Sequence, residues 1–481
     1  MNYTSLFLII LLSTMVSCSV GPSYAPPSIE VPSVWKNTRD GKCQEYEVTE
    51  NGELIYLDHW WQVFEDEKLE ELEGLAIKNN RDLFVAYERI QEYRALMGIA
   101  AADFYPQITL DPQTMNTVNL IKVFSGNSGV GNVAAGSNLI RAHQLLYLLP
   151  INLSYEVDLW GKIKDQYDSA KYNWLAIKKD YEVIMLNLTS SLATAYYQLR
   201  TADTQMDLLL KVLKTRQKAF EINKARYDEK ITFYADVSLA AEDVDTVLNQ
   251  YQEVSRQRHL LENQIAVLIG LPSSEFQLEH VPLNRPPPCI PEGIPSEVLQ
   301  RRPDIAEAEY NTRAEHALIK QAYSQFFPSL ILTAAGGFES PIFREFLKWI
   351  SRYWTDGLQI NQILFDGGRI SSNLKLQIAR FLEGSGSYQQ LVLTAFQDVE
   401  NALTNLDSYA KEYDLALATT QWAQITYQLY LDRYMLGVTY YIDVANTERD
   451  LLNYQINVIQ LQGFRYMATI QLIKALGGGW Q

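Results

Sequence analysis

The chain has 481 residues, 47% of them hydrophobic, which is enough for several domains with large apolar cores. Its 41 Lys and Arg residues against 57 Asp and Glu residues give a net charge of −16, which argues against a nucleic-acid partner because phosphates require a basic surface. The three cysteines, at positions 18, 43 and 289, exclude a disulfide scaffold and a Cys-rich metal site, although Cys43 and Cys289 could pair in an oxidising compartment.

The N-terminus is predicted to be a targeting segment, with residues 1–17 forming a signal peptide. The apolar stretch Leu6–Val16 is too short for a transmembrane helix, and it leads into Ser17 and Cys18. This arrangement resembles a bacterial lipoprotein signal, in which Cys18 becomes the acylated first residue of the mature chain. The alternative is an ordinary signal peptide. No later stretch has the roughly 20 uninterrupted apolar residues of a spanning helix.

A helical stretch over Leu69–Asp103 is followed by two predicted strands. The first strand starts at Pro106, and the second shows alternating apolar residues from Tyr147 to Val157, a period of two that indicates a β-strand. Pro150 conflicts with a strand interior because proline lacks the N–H group that a ladder requires, so it is predicted at a bulge or at the true strand start.

The next tract predicts very long helices. Neither glycine nor proline occurs between Gly161 and Gly270, and apolar residues recur from Met185 to Leu213 in steps of three and four, a heptad seam. We expect one helix over Ile163–Tyr227, about 100 Å long, then a turn near Asp228–Ala235 and a shorter antiparallel helix.

The second half repeats this order after a linker, Leu271–Arg302, that contains three consecutive prolines. A helical stretch over Ile305–Gln325 precedes strands that start at Pro328 and alternate over Trp354–Leu364. A second long tract without proline carries a seam from Val392 to Ala416 and turns near residues 436–442. At the two turns, Thr232 with Asp236 and Thr439 with Asp443 are predicted to cap and charge the returning helices.

The two halves are a duplication. Residues 161–270 match residues 368–477 at a shift of 207 without a gap, and the shift is 222 upstream because the first hairpin is 15 residues longer. The chain is therefore predicted to contain two tandem helix–β-hairpin–long helix–helix repeats. The expected division is a signal peptide (1–17), an N-terminal lipoprotein segment and equatorial region (18–68), the first repeat (69–270), a linker and equatorial region (271–302), the second repeat (303–477) and a C-terminal tail (478–481).

The predicted fold class is mainly α with a small β part. Alternating strands of about ten residues suit a bilayer, which only helices or closed barrels can cross. Two hairpins supply four strands, too few to close a barrel, whereas three copies supply twelve. Twelve strands lie within the range found for outer-membrane barrels, so the geometry favours a tube with one end in a membrane and the other end far from it.

Several short motifs, in this order and spacing, resemble the TolC-like outer-membrane factors of efflux and type I secretion, in the lipoprotein branch similar to OprM. The resemblance covers almost the whole mature chain. The motifs are Val20–Tyr24, Trp60-Trp61 with Phe64, Asn80–Leu83, Tyr155–Lys162, Arg301–Ile305, Phe327-Pro328, Phe365–Arg369 and Ala475–Trp480.

The resemblance implies a passive exit duct in the outer membrane of a Gram-negative bacterium. It implies a homotrimer with a twelve-stranded outer-membrane β-barrel continuous with an α-helical barrel that extends across the periplasm. It implies a periplasmic adaptor at the helix tips, an inner-membrane pump of RND, ABC or MFS type that supplies the energy, and contact with outer-membrane lipid. It does not identify the transported substrate.

The resemblance also implies a closed periplasmic aperture. Asp443 matches its acidic ring and Tyr434 its closing contacts, whereas Asn446 replaces a second aspartate and Thr439 a gate arginine. Three Asp443 carboxylates around an axis would attract cations. Alternatively, Asp443 is a first-turn residue favoured by the helix dipole, and both roles can hold together. The tips expected to face the adaptor carry Lys230, Thr232, Gly437 and Thr439.

No enzyme site, cofactor site or metal site is predicted. The five histidines lie far apart and none belongs to a metal-spaced pair, and no motif resembles a nucleophile elbow. The residues around Pro303 are expected to start a helix. The alternative function is a non-porous coiled-coil lipoprotein that spaces the cell envelope, which accounts for the heptads but not for the strands.

Overall fold

The structure is a computed structural model that describes residues 20–36, 57–124, 137–290 and 295–478. The predicted signal peptide, the lipidation site Cys18 and the tip of the first hairpin lie outside these ranges. The helices within them do not combine the length and apolar character of a membrane-spanning helix. The described residues form two compact units. A sheet unit is drawn from Met1–Ala25, Tyr93–Trp174 and Asn311–Gly384, and a helical unit from Pro26–Glu92, Leu175–Tyr310 and Ser385–Gln481.

Within the described ranges there are eight α-helices, which make the chain mainly helical as predicted. Short 3-10 segments occur as well, the longest at Leu57–Phe64. The helices are α1 (Glu67–Asn79), α2 (Arg81–Ala102), α3 (Lys162–Asp228), α4 (Tyr234–Leu268), α5 (Pro295–Arg301), α6 (Pro303–Ser324), α7 (Arg369–Met435) and α8 (Tyr441–Ala475).

The helical stretch predicted over Leu69–Asp103 is confirmed, but the structure divides it into two helices at Asn80. The backbone of Asn80 is extended, with ψ 132°. Its Oδ1 accepts a hydrogen bond from the N–H of Leu83 at 3.0 Å, and its Nδ2 donates to the carbonyl of Leu268 at 2.9 Å. The side chain thus ends α1 and caps α2, a role that favours asparagine.

The long helices are confirmed. Helices α3 and α7 each have 67 residues, and α4 and α8 each have 35. Lys162 and Arg369, which start the long helices, are 207 residues apart. These lengths agree with the predicted repeats, whose organisation stays a prediction. Both predicted seams are buried over most of their length, at Leu188, Leu192, Ala195, Leu199, Ala202, Met206 and Leu209 in α3 and at Val392, Ala395, Val399, Ala402, Leu406 and Ala416 in α7.

The main core of the helical unit contains an aromatic group around Trp60 and Phe64. Trp60 is almost completely buried, and its Nε1 donates to the hydroxyl of Thr189 at 3.1 Å. The ring of Phe64 stacks on Tyr466, with 6.2 Å between centroids, and Tyr466 stacks on Tyr197 at 4.3 Å. The aromatic motif therefore packs structurally in this core.

The sheet unit contains one antiparallel sheet in which the two predicted hairpins adjoin. The central strand β3 pairs with β1 and β2 along one side and with β4 along the other, and β4 pairs with β5. The sheet therefore has β5 at one edge and β1 with β2 at the other. The strands are β1 (Gln107–Leu110), β2 (Gln113–Phe124), β3 (Ser137–Val157), β4 (Ser329–Ser340) and β5 (Arg352–Asn361).

Pro150 lies inside β3, so the prediction of a bulge or a strand start there is wrong. The register with the neighbouring strands is continuous, since Leu110 pairs with Ile151 and Gln113 with Leu148. The missing N–H groups of Pro112 and Pro150 explain why the first strand is interrupted between β1 and β2. On the other side Pro150 pairs with Gly337, where any Cβ would overlap the carbonyl oxygen of Leu149. Glycine therefore permits the close approach of β3 and β4.

The two faces of the sheet differ in polarity, because directly paired residues share a face and successive residues alternate. One acidic residue, Asp356, interrupts the apolar face, where it pairs with Ala334. The apolar face carries Ile108, Leu110, Leu149, Ile151, Leu153, Leu330, Leu332, Phe338, Trp354, Leu358 and Ile360. The other face is largely polar and carries Gln107, Thr109, Asn152, Ser154, Thr333, Gln359 and Asn361, together with the apolar residues Leu148 and Ile331 and with Tyr353.

Glu73 is an unusual side chain in α1. It is completely buried, and neither carboxyl oxygen has a hydrogen-bond partner among the described residues. Burial raises the pKa of Glu73 well above its ordinary value. The folded chain therefore holds this proton more tightly than the unfolded chain does. Its contribution to stability is fully present below the unfolded pKa of about 4.5 and is lost as pH rises through the folded pKa.

We predict that Glu73→Met raises the thermal unfolding midpoint of the protein in detergent, and by more at pH 8 than at pH 4.5. The substitution removes an unpaired buried carboxyl group, which costs about 1–3 kcal/mol even when it is neutral. The control is Glu71→Met in the same helix, because Glu71 is exposed and pairs with Lys68 at 2.7 Å. A gain for Glu73→Met that is equal at both pH values would contradict the prediction.

Candidate functional site

The predicted tip residues lie in the two turns that join α3 to α4 and α7 to α8. In the first turn Lys230 has a φ of +62°, and in the second Gly437 has a φ of +73°. Each turn closes with a hydrogen bond to the end of its long helix. The Ile231 N–H donates to the Arg226 carbonyl at 2.8 Å, and the Val438 N–H donates to a carbonyl in the last turn of α7 at 2.9 Å. This is the Schellman arrangement, which suits glycine and costs a lysine about 1 kcal/mol.

The second turn places Asp443 in the first turn of α8, half-buried. Its carboxylate accepts a hydrogen bond from the hydroxyl of Thr439. The N-cap residue of this helix is Tyr440, which makes no side-chain capping bond. The prediction that Thr439 caps the helix is therefore wrong, because its hydroxyl is used by the carboxylate. A negative charge in the first turn is favoured by the helix dipole.

The first turn has the same arrangement. The hydroxyl of Thr232 donates to the carboxylate of Asp236, which lies in the first turn of α4. The N-cap residue is Phe233, again without a side-chain capping bond. The capping prediction is thus wrong for Thr232 for the same reason.

Tyr434 joins three helices near these turns. Its hydroxyl donates to Asn223 Oδ1 in α3 at 3.3 Å, and the guanidinium of Arg226 lies 5.2 Å from its ring centre. Its ring also packs against Tyr441 of α8 at 5.7 Å. Burial raises the pKa of Tyr434, and Arg226 opposes that shift. Sequence reasoning identified Tyr434 but missed the two partners in α3.

A buried group of charges lies close to these turns in sequence. Arg216 of α3 and Asp243 of α4 are each 1% exposed, with Arg216 Nη1 2.6 Å from Asp243 Oδ2. Arg216 Nε is 3.4 Å from Glu448 of α8, and Arg449 Nη2 is 2.8 Å from Asp243 Oδ1. We call these four residues the Arg216 cluster. Burial raises the pKa of Glu448, and the charge of Arg216 opposes that shift.

Sequence reasoning missed the Arg216 cluster, although the heptad seam contained a sign of it. The α3 seam ends at Leu213, and Arg216 is the next position at the same spacing, followed after seven residues by Asn223. Continuing the α7 seam beyond Ala416 in the same way leads to Tyr434. Polar residues at seam positions thus mark where apolar packing between the helices gives way to charged and polar contacts.

We predict that Arg216→Met destabilises the folded protein by about 3–5 kcal/mol, because it leaves buried carboxylates without their partner. The measurement is chemical unfolding in detergent. The control is Arg256→Met, which breaks an exposed pair with Glu253 at 2.5 Å and is expected to cost far less stability than Arg216→Met. The double substitution Arg216→Met with Asp243→Leu should recover part of the loss. Equal losses for the two single variants would refute a structural role for the cluster.

The Arg301–Asp304 motif starts a helix, as predicted. Helix α6 begins at Pro303, and Arg302 is buried. Its guanidinium donates to Asp304 at 2.7 Å, to Asp398 at 3.2 Å and to the carbonyl of Ala475 at 3.2 Å. This residue therefore fastens the start of α6 to α7 and to the end of α8.

No group of three or more His, Cys, Asp or Glu residues in the described part of the chain is arranged to hold a metal ion. Cys289 is disulfide-bonded, and its partner lies outside the described residues. A disulfide is typical of an oxidising compartment such as the periplasm.

The chain was compared with known families and proteins. The outer membrane efflux protein family matches residues 72–271 and 294–478. The chain is 27% identical over 470 residues to the probable efflux pump outer membrane protein TtgC of Pseudomonas putida, covering 96% of this chain and 93% of the relative. It is 27% identical over 484 residues to the cation efflux system protein CusC of Escherichia coli, covering 97% of each.

Among solved structures, the outer-membrane channel OprN superposes with a TM-score of 0.85 at 25% identity, covering 96% of this chain and all of that one. These similarities run through both units and both long helices. They confirm the predicted outer-membrane location and the predicted role in efflux. The chain therefore belongs to the outer membrane efflux protein family.

Proposed function

We propose that this chain is one protomer of the passive exit duct of a tripartite efflux system. Three copies close a twelve-stranded barrel in the outer membrane, continuous with a helical barrel that crosses the periplasm. The observation that carries the proposal is the sheet itself. It has one apolar and one largely polar face, and each edge strand lacks a neighbour on its outer side among the described residues.

The sheet argues for closure by several copies. Strand edges carry N–H and C=O groups that must find partners inside a bilayer. Since β1 and β2 share one register against β3, each copy contributes four strand positions, and three copies contribute twelve, a number within the range of outer-membrane barrels. The apolar face then lies against lipid, and the polar face lines the lumen.

The helices argue for association as well. Along α7, Leu415, Trp422, Leu429 and Leu436 follow at intervals of seven residues, and they are 69%, 70%, 58% and 79% exposed. We call these four residues the α7 stripe; its last member directly follows the end of the helix. A heptad line of large apolar side chains is typical of a helix that packs against another helix. In the proposed duct, that helix belongs to a neighbouring copy.

The two turns are suited to a protein partner. Ile231, Phe233, Val438 and Tyr440 expose large apolar side chains beside Lys230, Thr232, Gly437 and Thr439. We assign these turns to the docking of a periplasmic adaptor. We propose that an inner-membrane pump of RND, ABC or MFS type supplies the energy, because the similar protein TtgC is a probable efflux pump outer membrane protein. We also propose that Cys18 carries a lipid anchor.

We predict that the protein reconstituted in planar bilayers conducts ions and that the paired substitution Trp422→Lys with Leu429→Lys abolishes assembly. Charges in the α7 stripe must be desolvated when copies pack together. Assembly is measured by native mass spectrometry in detergent, and conductance by single-channel recording. The control is Gln424→Lys, on the opposite side of the same helix, where the residue is exposed. A trimer that is unchanged by the paired substitution would rule out the stripe as an interface, and a non-conducting protein would favour an envelope spacer.

We also propose that the three Asp443 carboxylates form the acidic ring of the closed aperture, with Tyr434 in its closing contacts. We predict that Asp443→Asn weakens cation selectivity and block by divalent cations, because three negative charges are lost at a narrow axis. Asp236→Asn, at the equivalent position of the first turn, and Thr439→Val, which keeps the carboxylate, are the controls. If Asp443→Asn conducts like the unmodified protein, the role of Asp443 is limited to stabilising the first turn of its helix.

A further inference from the structure

The connection between β4 and β5 exposes apolar side chains that the duct itself does not explain. This segment together with the first residue of β5, residues 341–352, is called the β4–β5 tip. Ile342, Phe343, Leu347, Trp349 and Ile350 are all exposed in it, Ile350 to 83%. Large apolar groups concentrated in so short a segment indicate a surface that meets an apolar partner.

The tip is a built structure. Two 3-10 turns, Phe343–Glu345 and Trp349–Ser351, are closed by backbone hydrogen bonds. The hydroxyl of Ser351 donates to the carbonyl of Glu345 at 2.8 Å, which links the two turns. The ring of Tyr147 in β3 lies 5.2 Å from Phe343 and 6.1 Å from Phe346. These contacts give the tip a defined conformation while its large apolar side chains stay exposed.

The tip also concentrates positive charge. Between Pro341 and Arg352 there are three cations, Arg344, Lys348 and Arg352, and one carboxylate, Glu345, for a net charge of +2 in a chain whose total is −16. Lys348 pairs with Glu345 at 3.0 Å. Arg344 is exposed and forms no ion pair or hydrogen bond with any described residue.

Arg352 lies against an exposed aromatic ring. Its guanidinium is 4.1 Å from the ring centre of Trp349, and it donates to the Trp349 carbonyl at 3.1 Å. Arg352 is also two residues from Trp354, which is exposed on the apolar face of the sheet. The cations of the tip thus lie directly beside its apolar groups, and both are continuous with the apolar face.

The lengths of the strands place the tip at a membrane surface. β4 has 12 residues and β5 has 10, and strands of about ten residues tilted by roughly 40° span a hydrocarbon core of about 30 Å. Helices α6 and α7 adjoin the other ends of these strands. If those helices are periplasmic, as the proposed duct requires, the tip lies at the outer surface.

We propose that the β4–β5 tip binds a phosphorylated lipid of the outer leaflet. Trp349, Ile350 and Phe343 enter the acyl-chain boundary, and Arg344 and Arg352 bind phosphate groups beside them. A guanidinium matches phosphate through parallel hydrogen bonds, and an aromatic ring suits the boundary between apolar and polar layers. This proposal rests on the proposed duct and adds its lipid partner.

The test uses the complete protein in vesicles of phosphatidylcholine with and without lipid A, with bound lipid counted by native mass spectrometry. The unmodified protein should retain lipid A in preference to phosphatidylcholine. Arg344→Glu should reduce lipid A retention about tenfold, which corresponds to about 1.4 kcal/mol for one charge-assisted contact, and adding Arg352→Glu should reduce it further. The control pair, Lys214→Glu with Lys224→Glu on the exposed surface of α3, should retain lipid A fully.

Two further measurements in the same experiment identify the ligand. Trp349→Ala with Ile350→Ala should weaken retention of both lipids, because it removes apolar contact and no charge. Inorganic phosphate should not displace lipid A; complete displacement would overturn the lipid assignment. Conductance of the same vesicles keeps the two proposals apart. A conducting protein without preference for lipid A overturns only the tip proposal, whereas a protein that neither inserts nor conducts overturns the duct and this proposal with it.

Discussion

Unsatisfied backbone groups at the edges of the sheet are the constraint on which the rest of the proposed assembly depends. Within one described chain, β5 and the β1–β2 strand end the sheet, and a bilayer offers no water to their outer N–H and C=O groups. Closure by further copies satisfies those groups. Closure also places the apolar face against lipid and the polar face around a lumen. The polarity of the two faces and the unpaired groups at the edges therefore both favour a closed barrel.

The seams of the two long helices change in character along their length. Apolar residues in the seams of α3 and α7 pack over most of their length, and then charged or polar residues take the same positions toward the turns, as at Arg216 and Tyr434. Replacing an apolar contact by a buried ion pair seldom adds stability, because both charges must be desolvated. The arrangement instead makes association of the helices dependent on specific partners, which would suit the proposed closed aperture of the duct.

Differences between the two halves matter as much as their similarity. The turn after α7 uses Gly437 at a positive φ, whereas the turn after α3 uses Lys230 at the same backbone geometry. Both turns hold a threonine hydroxyl against an aspartate. The shared backbone pattern thus keeps the turns alike, while different side chains give each turn a different surface.

Sequence alone determined the long helices, the two hairpins and the family, because these depend on local periodicity, on the absence of helix breakers and on motifs in a fixed order. Tertiary structure decided which contacts Asn80, Pro150 and Arg216 make. Asn80 breaks a helix by bonding to Leu268, Pro150 is accommodated because Gly337 lies opposite, and Arg216 is buried against residues of two other helices. Each of these partners is distant in sequence, and no local pattern encodes which distant side chain will arrive beside a given position.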